Sequence, residues 1–428
     1  MMKWLFLSVA ALWLSSTPAA GYSVLTHLAT VDACWYEHLM PLLTQRYPGA
    51  TPEEWKAAKA NAYGGSIIQD LGYYPFGSEL FSNLTHYVRS GDFVRSLLNE
   101  AQDRNEYAFA LGALAHYVAD IKGHSEGTNR AMPSVYPELA AKFGSSITYE
   151  EAPIQHTQLE FAFDVVQLAA GRYRASDYHN FIGFEVNKPV LERAFQKTYG
   201  LELGQVLFNV DLSVGSFRFA VQQLIPTASR AAWHAERKNI LRASPRARRR
   251  EYVFRQSPRQ FRREFKIPYQ RPGFGARLLS KVVQVLPKVG PLQPFAFRLP
   301  TPKAQEYLKQ SFVTVVADYG TAITREQQGD STSLPLPNYD FDTGLATKVG
   351  EYELADETYG EWLRQLADHK FAGVTLGQKQ HLVRFFGKLT RPPVAEDERE
   401  AATLVETREA FRRLQAFEPA QVAPVSPR

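Results

Sequence analysis

The sequence predicts an all-α fold, on three observations. Apolar residues recur at intervals of three and four through residues 27–234 and again after 301, the spacing that lines one face of a helix. Thr51-Pro52-Glu53-Glu54 carries an explicit helix start, with a cap hydroxyl, a proline at the first helical position and a glutamate three residues on. No series of short alternating strands separated by turn signals competes with these patterns in the first half of the chain.

Taken in order, residues 1–21 pair Lys3 with an apolar run from Trp4 to Leu14 and end on Ala19, Ala20 and Gly21, the layout of a secretory signal. The run is short for a bilayer span, so a secreted or periplasmic protein is expected, with at most peripheral membrane contact. Residues 22–238 form the main helical domain, with helices expected over 27–45, from Thr51, and over 94–102, 106–121, 151–170, 188–199 and 212–234. Residues 239–300 are dense in arginine, notably Arg242 to Arg263 with the triplet Arg248, Arg249 and Arg250, and pass into a Pro/Gly-rich stretch. They read as a basic linker able to meet phosphate groups of lipid or nucleic acid. Residues 301–417 are expected to be mainly helical, over 304–327, 355–369, 376–389 and 396–417. A proline-containing stretch, SLPLPNYDFDTG, follows the first of these, and residues 418–428 read as a flexible tail. No motif in this half indicates a role, and no protein partner is indicated.

With 428 residues, 45% hydrophobic and 13% aromatic, the chain can bury a substantial core. A net charge of +5 permits attraction to anionic surfaces without requiring it. Cys34 is the single cysteine, so no intramolecular disulfide can form.

The chemistry is concentrated in the histidines, of which there are ten. In ALAHYVADIKGH, an otherwise apolar helix sets His116, Asp120 and His124 four residues apart, and HTQLE sets Glu160 four after His156. Residues at that interval share a helix face, so imidazole and carboxylate can hold one ion. A single His or Asp on an apolar helix is ordinarily a hydrogen-bonded core residue. A set that includes His27, Asp70, His86, His116, Asp120, His124, His156 and Glu160 is different, because several buried carboxylates need compensating charge. Mixed imidazole and carboxylate ligands without thiolate suit zinc, ahead of iron or manganese. Tyr73, Tyr74, Phe76 and Phe81 follow Asp70 and either wall a pocket or simply pack. His38, His179, His234, His369 and His381 read as ordinary.

The quoted motifs, with YSVLTH (His27), SIIQDLGYYPFG (Asp70) and NLTHYVRSGDF (His86), resemble the zinc-dependent phospholipase C family, whose fold is shared with zinc-dependent single-strand nucleases. The resemblance runs from Tyr22 to Asp164 and toward residue 240. It implies up to three Zn2+ at one end of a multi-helix domain of that kind, with the 301–417 region as a helical extension. By that resemblance Asp70, His86, His116 and Asp120 hold one zinc, and His124, His156 and Glu160 a second. Asp120 then bridges to a third, held by His27 and the amino-terminal residue. Tyr22 stands where the family usually has tryptophan, which requires cleavage after Gly21. The interval from Asp120 to His124 is shorter than usual, and either one more helical turn or an adjustment at Gly123 would deliver His124. Asp70 is the candidate general base, with Glu160 the runner-up. The function implied is a phosphodiester hydrolase acting on a phospholipid. The alternatives are a single-strand nuclease or 3'-nucleotidase with nucleic acid as substrate, and a non-catalytic zinc-binding envelope protein. Structural zinc sites are closed by four ligands, often thiolates, which disfavours the last of these.

Overall fold

The computed structural model describes residues 24–74, 76–169, 183–219, 241, 298–328, 335–388 and 397–419. Tyr22, the segment 1–21, most of 239–300 including Arg248 to Arg250, His179, His234 and most of the tail lie outside them. Among the described residues the architecture is all-α, with one isolated antiparallel bridge between Tyr339 and Ala346. None of the helices described is long and apolar enough to cross a membrane.

The first half comprises α1 (Val24–Cys34), α2 (Met40–Arg46), α3 (Pro52–Gly65), α4 (Glu79–Tyr87), α5 (Ser90–Glu100), α6 (Arg104–Lys122), α7 (Asn129–Val135), α8 (Pro137–Phe143), α9 (Pro153–Ala169), α10 (Lys188–Tyr199), α11 (Leu203–Val206) and α12 (Val210–Phe219). The second half adds α13 (Pro302–Gln327), α14 (Glu353–Asp368), α15 (Leu376–Phe386) and α16 (Glu398–Ala416). The capping box at Thr51 and Glu54 forms as its sequence predicts. The helix expected over 27–45 is instead α1 and α2 joined through a π-helical turn, Trp35–Leu39. α4, which carries His86, was not expected. It is a short helix of nine residues, framed by extended Ser78 and Val88.

α6 is the axis of the molecule. Asp103 caps it by accepting from the amides of Asn105 and Glu106 at 2.8 and 2.9 Å, and every residue from Glu106 to Ile121 is buried. A helix apolar on all sides is one surrounded by others. α3 crosses it at close range because both contribute glycine at the crossing. A Cβ on Gly112 would lie 2.0 Å from the carbonyl oxygen of Ala62, and one on Gly65 would lie 1.9 Å from that of Phe109.

The second half is built into the same core. One apolar cluster contains Leu111 and Phe195 together with Tyr319, Trp362, Leu382 and Leu414. The Tyr319 hydroxyl donates to the Leu111 carbonyl at 2.8 Å, and the Trp362 indole N–H donates to that of Tyr199 at 2.8 Å. These are fully buried side chains whose polar ends reach backbone carbonyls of the first half, so hydrogen bonding adds to apolar burial in joining the halves.

Candidate metal centre

Six segments bring the histidines and carboxylates together. α1 supplies His27, the short 3-10 helix Ile68–Tyr73 supplies Asp70, α4 supplies His86, and α6 supplies His116 and Asp120. Beyond Lys122, α6 passes into a π-helical turn, Gly123–Thr128, which carries His124, while α9 supplies His156 and Glu160. Gly123 itself has φ −63° and ψ −43°, ordinary right-handed helix, so glycine freedom is not what delivers His124. The wider turn does so instead, by changing the angular step between successive side chains.

The resulting groups are His27 with His116 and Asp120, Asp70 with His86 and His116, and His124 with His156 and Glu160. Within each, the potential ligand atoms lie within 4.8 Å of one another. Asp120 lies between the first two. Its Oδ1 is 3.3 Å from His27 Nε2, and its Oδ2 is 3.3 Å from His86 Nε2 and 3.0 Å from His116 Nε2. Asp70 Oδ1 is 3.4 Å from His86 Nε2. Glu160 Oε1 stands 2.8 Å from His156 Nδ1 and 3.6 Å from His124 Nε2. All of the eight predicted side chains are buried. Tyr22, expected as the amino-terminal ligand, lies outside the described residues.

Partners on the far side of each ring fix which nitrogen faces inward. His86 Nδ1 donates to the Ser82 carbonyl at 2.7 Å and His116 Nδ1 to the Ser66 carbonyl at 2.9 Å. A carbonyl only accepts, so both rings carry their proton there and present the Nε2 lone pair to the centre. His156 is reversed: Nε2 meets Asn129 Oδ1 at 2.7 Å, leaving Nδ1 toward Glu160. His124 Nδ1 lies 3.1 Å from Asp342 Oδ1, leaving Nε2 inward.

Both oxygens of Asp70, Asp120 and Glu160, with Nε2 of His124 and Nδ1 of His156, are buried without a hydrogen-bond partner among the described groups. Polar atoms left this way are costly, and a divalent cation satisfies both the lone pairs and the charge. The electrostatics agree. Burial, then the proximity of Asp120 and Asp342, pushes the Glu160 carboxyl well above the ordinary range. Burial lowers His156 to about 3, and burial with His116 lowers His27 to about 3, so both rings are neutral and able to ligate at physiological pH. At His86 burial acts downward, but Asp120 and Asp70 together outweigh it and raise the ring to about 9. A cation bound here would take the place of that proton. The donor set therefore fits zinc.

A protein-family model, zinc dependent phospholipase C, matches residues 26–209. Over these residues the chain is similar to that family. No curated protein and no solved structure matches the chain. The match ends before the second half, so the family by itself says nothing of how residues 298–419 contribute.

Asp342 is the site residue that sequence reasoning missed. It is fully buried against His124 although the two are 218 residues apart. The turn-rich NYDFDTG was a visible signal, but nothing local ties it to the zinc motifs. The aromatic residues after Asp70 do not act together. The Tyr73 ring is 5.7 Å from His86, Tyr74 packs edge-on to Phe217, and Phe81 is core, stacked on Phe195. Phe76 is 45% exposed. Any pocket wall from this group is therefore left to Tyr73 and Phe76. His38 lies against Gly320, His369 pairs with Gln205, and His381 pairs with Tyr359, all away from the centre.

Proposed function

We propose that the chain is an exported zinc-dependent phosphodiester hydrolase of phospholipase C type, releasing a phosphate monoester and an alcohol, which is diacylglycerol when the substrate is a phospholipid. The family match over residues 26–209 supports a zinc hydrolase. The observation that carries the finer reading is the set of buried, unsatisfied carboxylate oxygens of Asp70, Asp120 and Glu160 facing histidines whose outward nitrogens are tied down.

Asp70, His86, His116 and Asp120 would hold one ion, His124, His156 and Glu160 a second, and His27 with Asp120 a third completed by the amino-terminal residue. Zinc held there supplies Lewis acidity toward a phosphodiester oxygen and a water of lowered pKa. Asp70 takes the role of general base. Its carboxylate comes from the short 3-10 helix Ile68–Tyr73, and neither oxygen is committed to a hydrogen bond. Glu160, equally uncommitted, is the second candidate. Asp120 aims its two oxygens at different histidines and serves to hold the groups together.

The test is a panel on zinc-loaded protein recovered from the exported fraction, its amino terminus read by mass spectrometry and expected at Tyr22. Hydrolysis of a phosphatidylcholine analogue is expected to exceed that of single-stranded DNA. Asp70→Asn is expected to lower kcat by about 10²–10⁴-fold. Faster cleavage of DNA, or undiminished turnover in Asp70→Asn, would overturn the corresponding part.

A further inference from the structure

The zinc motifs all lie before residue 161, yet the outward side of one group of ligands is built from the other half of the chain. The stretch around Asp342 approaches the end of α6 so closely that a Cβ on Gly344, whose φ is +70°, would lie 2.7 Å from the Ile121 carbonyl oxygen. Asp340 shapes the turn by accepting from the Asp342 amide at 2.8 Å and the Thr343 hydroxyl at 2.8 Å. The neighbouring Phe341 amide donates to the His86 carbonyl at 3.3 Å, and its ring sits 5.1 Å from that of His86.

Asp342 is held from several sides. Oδ2 accepts from the Tyr149 amide at 2.7 Å and from the Tyr352 hydroxyl at 2.5 Å, and Oδ1 faces His124 Nδ1 at 3.1 Å. Its backbone carbonyl accepts from Asn129 Nδ2 at 2.7 Å. Because a carbonyl cannot donate, the Asn129 amide must point its NH2 at Asp342 and its oxygen at His156. That oxygen in turn requires the proton on His156 Nε2, 2.7 Å away, and leaves Nδ1 as the inward lone pair.

We propose that Asp342 is the positioning residue of the second metal site, orienting His124 through its carboxylate and His156 through its carbonyl and Asn129. The inference rests on the reading of His124, His156 and Glu160 as a metal site. A carboxylate behind a ligating histidine fixes the tautomer and strengthens the donor, and loss of such a partner ordinarily weakens metal binding about 10–100-fold. The second half thereby acts as a structural part of the centre rather than as an appendage.

The test is zinc titration of metal-free full-length protein against a competing chelator, for wild type, Asp342→Ala, Asp342→Asn and, as the mark of a lost second site, His124→Ala. Asp342→Ala is expected to weaken one site about 10–100-fold and leave the others unchanged, with Asp342→Asn intermediate because it keeps an acceptor. Hydrogen exchange of the wild-type segment 338–346 is measured with and without zinc, so that a poorly folding variant does not decide the matter. Zinc is expected to increase protection there. Wild type that loads zinc while Asp342→Ala matches it site for site overturns the inference alone. So does equal weakening of every site, or exchange unchanged by zinc. Wild type that binds no zinc overturns the metal-centre reading, and this inference with it.

Discussion

Asp120 faces three histidines with one carboxylate, Oδ1 toward His27 and Oδ2 toward His86 and His116. Burial acts to raise its pKa, but His116 and His27 outweigh that and hold it well below the usual carboxylate range. Asn at this position keeps the volume and loses both the charge and one acceptor. Asp120→Asn is therefore expected to lose metal at two groups, whereas Asp70→Asn removes one oxygen donor at a single group and retains more. Metal analysis of the two purified variants checks this, and equal metal content in both would contradict it. Cys34 belongs to the same scale. Burial pushes its thiol up to about 12, which makes it a small core residue rather than a nucleophile. The histidine and carboxylate set was legible in the sequence because its spacing is local: His116 with Asp120 and His156 with Glu160 each stand one helical turn apart. Asp342 was not, since no periodicity connects a residue with a partner 218 positions away.

At the scale of elements, the centre depends on α3 and α6 lying nearly in contact. Gly65 and Gly112 permit this by omitting a Cβ where the facing carbonyls stand 1.9 and 2.0 Å from its position. Gly112→Ala must push the helices apart or bend one of them, and overpacking of this kind costs about 1–3 kcal/mol. The upper part of that range is expected, because the obstacle is backbone rather than a flexible side chain. His116 lies one turn further along α6, and its Nδ1 is anchored on the Ser66 carbonyl just beyond α3. The same variant should therefore weaken zinc binding at His116, read by denaturant melts of the metal-free protein and by zinc titration. An unchanged melt would contradict the close-packing argument. The sequence located α6 and α10 well because each carries a clear cap or proline start and several turns of period. It placed the 94–102 helix late, since α5 begins at Ser90 after Arg89 adopts a left-handed φ of +52°, and it missed short α4. The π-helical turns joining α1 to α2 and following α6 leave no mark in apolar spacing, because one extra residue per turn is absorbed by tertiary contacts.

Across the whole molecule, the second half is held on the first by large buried side chains, among them Tyr319, Tyr359 and Trp362. His381 is part of this junction. Its Nε2 shares a hydrogen bond of 2.9 Å with the Tyr359 hydroxyl, and burial, then nearby Arg89, lowers it to about 4. Its folded pKa lies below the unfolded value near 6.5, so protons favour the unfolded chain. The stability it protects is complete above pH 6.5 and is lost as pH falls toward about 4. At about 1.4 kcal/mol per pKa unit, discounted for its partial exposure, this is about 2 kcal/mol. His381→Gln is expected to flatten the fall in Tm between pH 6.5 and 4 relative to wild type, and parallel curves would contradict the assignment.

By itself the sequence determined an all-helical chain and the residue types that converge on metal, because both follow from interactions reaching no further than one or two helical turns. Only the tertiary structure decided that the described residues of 298–419 share the first half's core and that Asp342 stands behind His124. Contacts between distant segments depend on how helices pack in three dimensions, and the order of residues along the chain does not encode that locally.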